Sequence, residues 1–294
     1  MGCVSGEDGR MKKTIDSHQH VWQLTSHYFN WPTPDLQSIY RDFSPADIEP
    51  HLRDAGISGT ILVQASPTMD ETLDLLELAQ HYPFILGVVG WIDMETEAAP
   101  DQIAELAANP YFCGIRPMIQ TIDDIDWMLK KTIEPSFTVL KRLGLTFDAL
   151  VFPKHLRNLN VLVERHPDLK IVIDHGAKPH IKDNIFEPWA AEIRMLANHP
   201  QVYCKLSGLV TEAGQEWSWE KMLPFVEHLF KCFGYQRIMW GSDYPVLNLV
   251  SHYQEWHELC RQYVKKLGSL VEEAVFGANA AEFYLGRQGS GVVA

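Results

Sequence analysis

The feature of this sequence that most limits its fold is the regular return of short apolar, β-branched segments, separated by segments with helical spacing. The strand-like segments are Thr14–His20, Thr60–Gln64, Ile85–Trp91, Gly114–Ile119, Leu145–Val151, Lys170–His175, Val202–Ser207 and Arg237–Ser242. Strands that alternate with helices form parallel sheets whose faces are covered. Roughly eight strands are what a closed (β/α)8 TIM barrel requires. The sequence therefore predicts an α/β fold with a single barrel.

The segments between these strands carry apolar residues at intervals of three and four. The clearest helix start is Ser44-Pro45-Ala46-Asp47, which has a capping serine, a proline in the first turn and a carboxylate three residues after the serine. This helix is expected to end near Gly56. Further helices are predicted at Asp70–Gln80, Asp101–Ala108, Pro135–Arg142, Leu156–Arg165, Trp189–Asn198 and Trp219–Phe233.

The chain is expected to form one large domain, because no linker rich in proline, glycine and serine divides its 294 residues. We predict a flexible leader at residues 1–11, the barrel at 12–286 and a flexible tail at 287–294. The segment Gln23–Phe43 follows the first strand and is rich in aromatic residues and proline. Since βα loops build the sites of barrel enzymes, this segment is expected to be a long loop over the active end.

Charge and cysteine content argue against several classes of function. The formal net charge of −13 repels phosphate backbones, so nucleic acid is not an expected partner. The sequence contains neither an apolar segment of about 18 residues that could span a membrane nor a signal peptide. Five cysteines without CxxC spacing favour a reducing, cytoplasmic location. Assembly into a homo-oligomer stays open.

Four residues that can perform chemistry stand where predicted strands end. In the HxH motif of the first strand, alternation turns His18 and His20 to one face, where both imidazoles can reach one divalent ion. His175 ends an apolar strand, and Asp243 follows the last strand. Each residue alone has a structural explanation, such as a hydrogen-bonded core histidine or a helix cap. Because barrel strands end at one face, the four together predict a reactive centre.

The order of several motifs resembles the amidohydrolase superfamily, and within it the amidohydrolase-related (amidohydrolase 2) branch that includes sugar-lactone and 2-pyrone-4,6-dicarboxylate lactone hydrolases. The motifs are Ile15–Trp22, Gly114-Ile115-Arg116, Phe147-Asp148, Asp174–Pro179, Lys205–Leu209, Gly241–Pro245 and Phe276–Tyr284. The resemblance implies that the HxH histidines and Asp243 surround a metal. It leaves His175 as either a further ligand or the residue that binds the substrate carbonyl.

The number and kind of metal ions follow from the same resemblance. Many members of the superfamily bridge two metals with a carboxylated lysine, but here Arg116 and Asp148 stand at the ends of the fourth and fifth strands. This difference favours one ion, preferably zinc because its ligands include imidazoles. Some lactonases of the branch are thought to work without a metal, so a requirement for the ion stays open.

The function expected from these features is hydrolysis of a lactone, above all a sugar aldonolactone. Asp243 is the candidate general base that activates a water, and His175 is the second candidate catalytic residue. A bound ion would polarise the carbonyl or lower the pKa of the water. Without an ion, the histidines themselves would donate to the oxyanion.

Recognition of a small lactone or carboxylate substrate is assigned to polar and aromatic residues near strand ends. These are Gln64, Arg116, His155, Lys178, Lys205 and Trp22. The fork of an arginine suits a carboxylate or sugar hydroxyls. Two alternatives stay open: Arg116 and Lys205 would form ion pairs with the buried Asp148 or Asp174, and the tryptophan would lie in the core.

Two other functions also fit the sequence. One is the metal-dependent nonoxidative decarboxylation of an aromatic or enol acid, which related members perform with a similar site and which releases carbon dioxide. The other is a non-catalytic barrel that binds a metal or a sugar without turnover.

Overall fold

The computed structural model describes residues 13–286, and both the predicted leader, 1–11, and the predicted tail, 287–294, lie outside them. Eight parallel strands form one sheet in the order β1 to β8. They are Ile15–Gln19 (β1), Gly59–Val63 (β2), Ile85–Gly90 (β3), Phe112–Ile115 (β4), Thr146–Ala149 (β5), Lys170–Ile173 (β6), Val202–Leu206 (β7) and Ile238–Trp240 (β8). The predicted (β/α)8 TIM barrel is confirmed.

Helices occupy the crossovers between these strands. They are Pro45–Ala55 (α1), Met69–His81 (α2), Ala99–Leu106 (α3), Glu134–Leu143 (α4), Leu156–Arg165 (α5), Trp189–Leu196 (α6), Leu209–Ala213 (α7), Trp219–Phe233 (α8), Tyr253–Leu267 (α9) and Ser269–Glu273 (α10). Two wider, π-helical turns follow at Ala274–Ala278 and Ala281–Leu285. Within residues 13–286, none of these helices combines the length and the apolar character that a membrane crossing needs.

The start and end predicted for α1 are confirmed. The Asp47 carboxylate accepts hydrogen bonds from the backbone N–H of Ser44 at 2.8 Å and from its hydroxyl at 2.7 Å. Gly56 ends the helix at φ 70°, a left-handed conformation that glycine adopts without strain.

Hydrogen bonds between the first and last strands close the barrel. The backbone N–H of His20 donates to the carbonyl of Tyr244 at 2.7 Å, and that of Asp243 donates to the carbonyl of His18 at 2.8 Å. The Ser17 hydroxyl donates to the carbonyl of Trp240 at 2.7 Å. This seam brings the HxH motif and Asp243 next to each other.

Two apolar layers support the barrel. The larger layer lies between the sheet and the surrounding helices. The smaller one fills the barrel from inside, where Ile15, Val89 and Met239 pack against Phe283 and Tyr284 from the last helical turn. The amino-terminal end of the barrel is therefore filled, and the polar residues at strand ends face the opposite end.

Several strands end earlier than the apolar pattern predicts. β4 ends at Ile115 instead of Ile119, since Pro117 lacks the N–H that a ladder needs. β6 ends at Ile173, and Asp174–Ala177 forms a tight turn that includes left-handed residues. The side chains after these strands consequently stand on turns at the barrel rim.

Candidate active site

The four predicted reactive residues lie together at the carboxyl ends of the strands. Asp243 Oδ1 is 3.3 Å from His20 Nε2, 3.6 Å from His18 Nε2 and 3.9 Å from His175 Nε2. The Nε2 atoms of His18 and His20 are 3.2 Å apart. One carboxylate thus faces three imidazoles in a small buried space.

The spacing of these atoms suits a single divalent metal ion, for which the geometry of a zinc–imidazole site gives a scale. Ligand atoms at a zinc–imidazole bond length of roughly 2.0–2.1 Å lie about 3.3 Å apart in a tetrahedron. Ligand atoms of His18, His175 and Asp243 lie within 4.8 Å of one another. His20 Nδ1 is 2.7 Å from the carbonyl of Val63, so Nδ1–H donates there and Nε2 keeps its lone pair for a metal. The donor set therefore fits one divalent ion.

Unusual backbone conformations hold two of these side chains in place. His175 and Asp243 have φ values of 54° and 58°, in the left-handed region that non-glycine residues rarely adopt. Such conformations are found where surrounding structure imposes them, often at functional sites. The Ser207 hydroxyl, 2.9 Å from His175 Nδ1, further fixes the imidazole.

Neighbouring histidines keep Asp243 able to accept a proton, and burial does the same for His175. Burial raises the pKa of Asp243, but His175, His20 and His18 outweigh it and hold this pKa below its usual value. Burial lowers the pKa of His175 to about 4, although the Asp243 charge opposes the change. At neutral pH Asp243 is a carboxylate and His175 a neutral imidazole.

A fully buried cluster of charges lies behind the histidines. Lys205 Nζ is 2.7 Å from Asp148 Oδ2, 3.0 Å from Asp174 Oδ1 and 3.0 Å from His18 Nδ1. The Tyr284 hydroxyl donates to Asp148 Oδ2 at 2.5 Å. Burial raises the pKa of Asp174, but Lys205 and His18 hold it well below its usual value. Removal of one partner would leave an uncompensated buried charge.

A cavity of about 410 Å³ opens beside Asp243. One wall comes from the aromatic loop Gln23–Phe43, which contributes Tyr28, Phe29, Asn30 and Trp31, as expected for a loop over the active end. The remaining lining residues are His20, Ala65, Ser66, Pro67, Arg116, Met118, Gln120, Thr121, Leu150, His175, Lys178 and Val246. The cavity therefore joins the reactive residues to apolar walls and a few polar groups.

Two cations, Arg116 and Lys178, line this cavity. Lys178 Nζ donates to Gln120 Oε1 at 2.7 Å, and burial lowers the pKa of the lysine. Arg116 Nη1 is 3.4 Å from His18 Nε2 and 3.6 Å from Asp174 Oδ2. Both cations can donate to substrate oxygens near Asp243.

Comparison with known proteins identifies the family. The amidohydrolase family model matches residues 15–285, nearly the whole described chain. This chain belongs to the amidohydrolase family. The resemblance to its amidohydrolase-related branch is thereby confirmed.

Similar proteins agree with this assignment. An L-fucono-1,5-lactonase from Burkholderia ambifaria is 44% identical over 274 residues, covering 92% of this chain and 94% of the relative. An L-fucono-1,5-lactonase from Burkholderia multivorans is 32% identical, with 92% and 95% coverage. The crystal structure of an amidohydrolase from Burkholderia multivorans with bound zinc has a TM-score of 0.87 and 31% identity, covering 93% of this chain and 99% of that one.

The residues predicted to bind substrate fall into two groups in this amidohydrolase. Arg116 and Lys178 line the cavity beside Asp243. The other four lie outside its lining: Gln64, Lys205, His155 and Trp22.

Hydrogen bonds to the protein itself hold these four side chains. Gln64 Nε2 donates to the Arg116 carbonyl at 2.7 Å, and Lys205 is enclosed in its ion pairs. His155 Nδ1 accepts from the backbone N–H of Phe152 at 3.0 Å, and Trp22 Nε1 donates to the carbonyl of Arg41 at 2.8 Å. Lys205 does form the ion pairs considered from sequence, with both Asp148 and Asp174.

Sequence reasoning missed three residues that shape the site. Gln120 contacts Lys178, Ser207 contacts His175, and Trp31 forms part of the aromatic wall. Ser207 ends a predicted strand, which was an available signal. Gln120 carries no such signal because it lies in a short 3-10 helical turn, Ile119–Thr121, beyond the end of β4.

Proposed function

We propose that this amidohydrolase opens the ring of a sugar 1,5-lactone by attack of an activated water on the ester carbonyl. The observation that carries the proposal is the carboxylate of Asp243, which faces three imidazoles at the floor of a cavity with two cations. The similarity to two proteins named L-fucono-1,5-lactonase supports the choice of substrate class. A substrate of the L-fucono-1,5-lactone type is the first candidate.

The proposed reaction has two steps, addition of water to the carbonyl and opening of the ring, and Asp243 carries the proton between them. Asp243 takes a proton from the attacking water, and the new C–O bond pushes the carbonyl electrons onto its oxygen. Arg116 stabilises this oxyanion by donating hydrogen bonds. His175 donates to it through Nε2 only when that nitrogen does not hold an ion. When the oxyanion collapses, the ring C–O bond breaks, and the proton held by Asp243 passes to the leaving ring oxygen. Lys178 and Gln120 bind hydroxyl groups of the sugar.

A divalent ion, preferably zinc, belongs to the proposal. His18, His20, His175 and Asp243 would hold it. When bound, the ion polarises the lactone carbonyl and lowers the pKa of the attacking water. The zinc in the solved structure of the Burkholderia multivorans amidohydrolase supports this choice.

The same observations favour hydrolysis over the two other functions. The two relatives named as lactonases align over 92% of the chain, which supports ester hydrolysis over decarboxylation. A barrel that only binds a ligand does not need a carboxylate base. Here Asp243 is held in a left-handed backbone conformation beside a cavity lined by Arg116 and Lys178. A cytoplasmic location is also proposed, since Cys204, Cys232 and Cys260 are free thiols, as in a reducing compartment.

A panel of aldonolactones with five- and six-membered rings, followed with a pH indicator, tests the proposal. We expect turnover of a 1,5-lactone, with kcat about 10³-fold lower in Asp243→Asn and a fold that stays intact, seen as an unchanged circular dichroism spectrum. The exposed Asp54→Asn is the matched control and keeps full activity. Chelation before the assay tests whether the ion is required. Near-normal turnover by Asp243→Asn would remove it as the base, and release of carbon dioxide from an aromatic acid would favour the decarboxylase.

A further inference from the structure

We infer that Glu71, a buried residue in the first turn of α2, is a positioning residue that holds Arg116 in its working orientation. The inference rests on the proposed function, in which Arg116 donates to the substrate. Glu71 is 1% exposed and does not line the cavity beside Asp243. It therefore acts on the reaction through other groups.

A single peptide group connects Glu71 with Arg116. The Arg116 guanidinium donates through Nη2 to the carbonyl oxygen of Gln64. The N–H of the same peptide group, on Ala65, donates to Glu71 Oε1 at 2.8 Å. Because a peptide group is rigid and planar, fixing its N–H also fixes the direction of its carbonyl. The Glu71 carboxyl group thus sets the acceptor on which the arginine rests.

The second oxygen of the same carboxyl group controls the adjacent cavity wall. Glu71 Oε2 accepts from the backbone N–H of Ser66 at 2.7 Å. The Ser66 hydroxyl donates to the carbonyl of Tyr28 at 2.6 Å, in the aromatic loop Gln23–Phe43. Ser66 and Tyr28 both line the cavity. One buried side chain therefore joins the arginine, the β2–α2 loop and the aromatic wall.

Two further contacts join Arg116 to Gln64, and neither fixes the guanidinium independently of Glu71. Its Nη2 also lies 3.4 Å from Gln64 Oε1, and the Gln64 amide donates back to the Arg116 carbonyl at 2.7 Å. These contacts all depend on the position of Gln64. Glu71 anchors the peptide group that joins Gln64 to Ala65. Loss of this anchor should free Nη2 and let the guanidinium turn about its remaining ion pair, in which Nη1 lies 3.6 Å from Asp174 Oδ2.

Glu71→Gln tests the inference at about pH 9, above the pKa of about 8 to which burial raises Glu71. There the carboxylate accepts both N–H groups, whereas the amide keeps the size of the side chain but places an NH₂ group against one of them. We expect kcat/KM for the lactone to fall at least tenfold in the wild-type background, but at most twofold in Arg116→Lys. This difference is expected because groups that act together are non-additive. If Glu71→Gln does not fold, Glu71→Asp, which shortens the same carboxyl group, replaces it.

Thr68→Ala is the matched control. The Thr68 hydroxyl caps the same helix by accepting from the backbone N–H of Glu71 at 3.2 Å, but it does not contact the loop amides. The control loses helix stability and keeps kcat/KM within twofold. An equal loss in Thr68→Ala and Glu71→Gln would overturn the inference, as would a change of less than twofold in Glu71→Gln.

A cycle of melting temperatures tests the same connection without substrate. The double variant Glu71→Gln with Arg116→Lys should lower the melting temperature by less than the sum of the single variants, whereas Thr68→Ala with Arg116→Lys should be additive. Additive shifts in the first pair would overturn the inference. If the wild-type protein hydrolyses no lactone, the proposed function fails, and this cycle still decides whether Glu71 positions Arg116.

Discussion

Gly208 lies so close to His175 that a side chain at this position would displace the imidazole. A Cβ atom built on Gly208 would lie 2.5 Å from His175 Nδ1, and the residue has φ +64°. The ring is rigid and already held by Ser207, so it cannot yield as the end of a flexible chain can. We expect Gly208→Ala to lower kcat/KM about 100-fold or more, measured by lactone hydrolysis.

The control for this variant is Gly56→Ala. Gly56 has φ +70° but no atom within 4 Å of a built Cβ, and it ends α1 far from the reactive residues. Both variants carry left-handed strain, so both lose stability, but only Gly208→Ala should lose activity. Equal activities would show that the close approach to His175 does not matter.

Lys178 is expected to act in substrate binding more than in the chemical step. It lines the cavity, and its ammonium group donates to Gln120. Lys178→Gln should raise KM about tenfold and change kcat by less than threefold, as expected when a group binds ground state and transition state equally. Steady-state kinetics measures both values, with the exposed Lys182→Gln as the control. A loss confined to kcat would instead place Lys178 in the chemistry.

At the residue scale, sequence predicted those groups whose position depends only on where a strand ends. His18, His20, His175 and Asp243 each stand at or directly after a barrel strand, and the fold brings such ends together. The direction of a long side chain does not follow from its place in the sequence. Lys205 shows this, because it turns to buried carboxylates instead of the cavity.

At the scale of elements, the last helical turn of the described chain not only packs in the barrel interior but also donates a hydrogen bond there. Tyr284, in Ala281–Leu285, donates to the Asp148 carboxylate, which also pairs with Lys205. Tyr284→Phe removes a donor from a fully buried carboxylate, at a cost of about 1–3 kcal/mol in the free energy of unfolding. Urea unfolding measures it, with the half-buried Tyr263→Phe on α9 as the control. A loss no larger than that of the control would contradict the importance of this bond.

The same scale shows where pattern reading succeeds and where it stops. α5 and α8 match their predicted bounds, because each has a regular apolar face. α9 was not predicted, although its apolar residues Tyr253, Trp256, Cys260 and Val264 are buried at helical spacing. More than half of its residues are polar or charged, and no strand of the described chain follows it to mark a crossover. The π-helical turns after α10 depend on packing against the barrel interior, which is a tertiary effect that local sequence does not contain.

At the scale of the whole molecule, the buried Glu71 should make stability depend on pH. Burial raises the pKa of Glu71 to about 8, against a usual value of 4.5, and the charge of Asp74 adds to the rise. The N–H groups of Ala65 and Ser66 and the charge of Arg116 oppose the rise. The folded protein therefore keeps a proton that the unfolded chain loses above pH 4.5. Since the folded state binds more protons in this window, its stability falls as pH rises towards 8.

Glu71→Gln removes this titration, so the free energy of unfolding of the wild type relative to the variant should decline between pH 5 and 8.5. The decline should amount to a few kcal/mol and flatten above the folded-state pKa. Urea unfolding of both proteins at a series of pH values measures the two free energies of unfolding. In their difference, the titration of groups that both proteins share cancels. The exposed Glu105→Gln should run parallel to the wild type. A wild-type curve that also runs parallel to Glu71→Gln would mean that Glu71 ionises in the folded protein as it does in the unfolded chain.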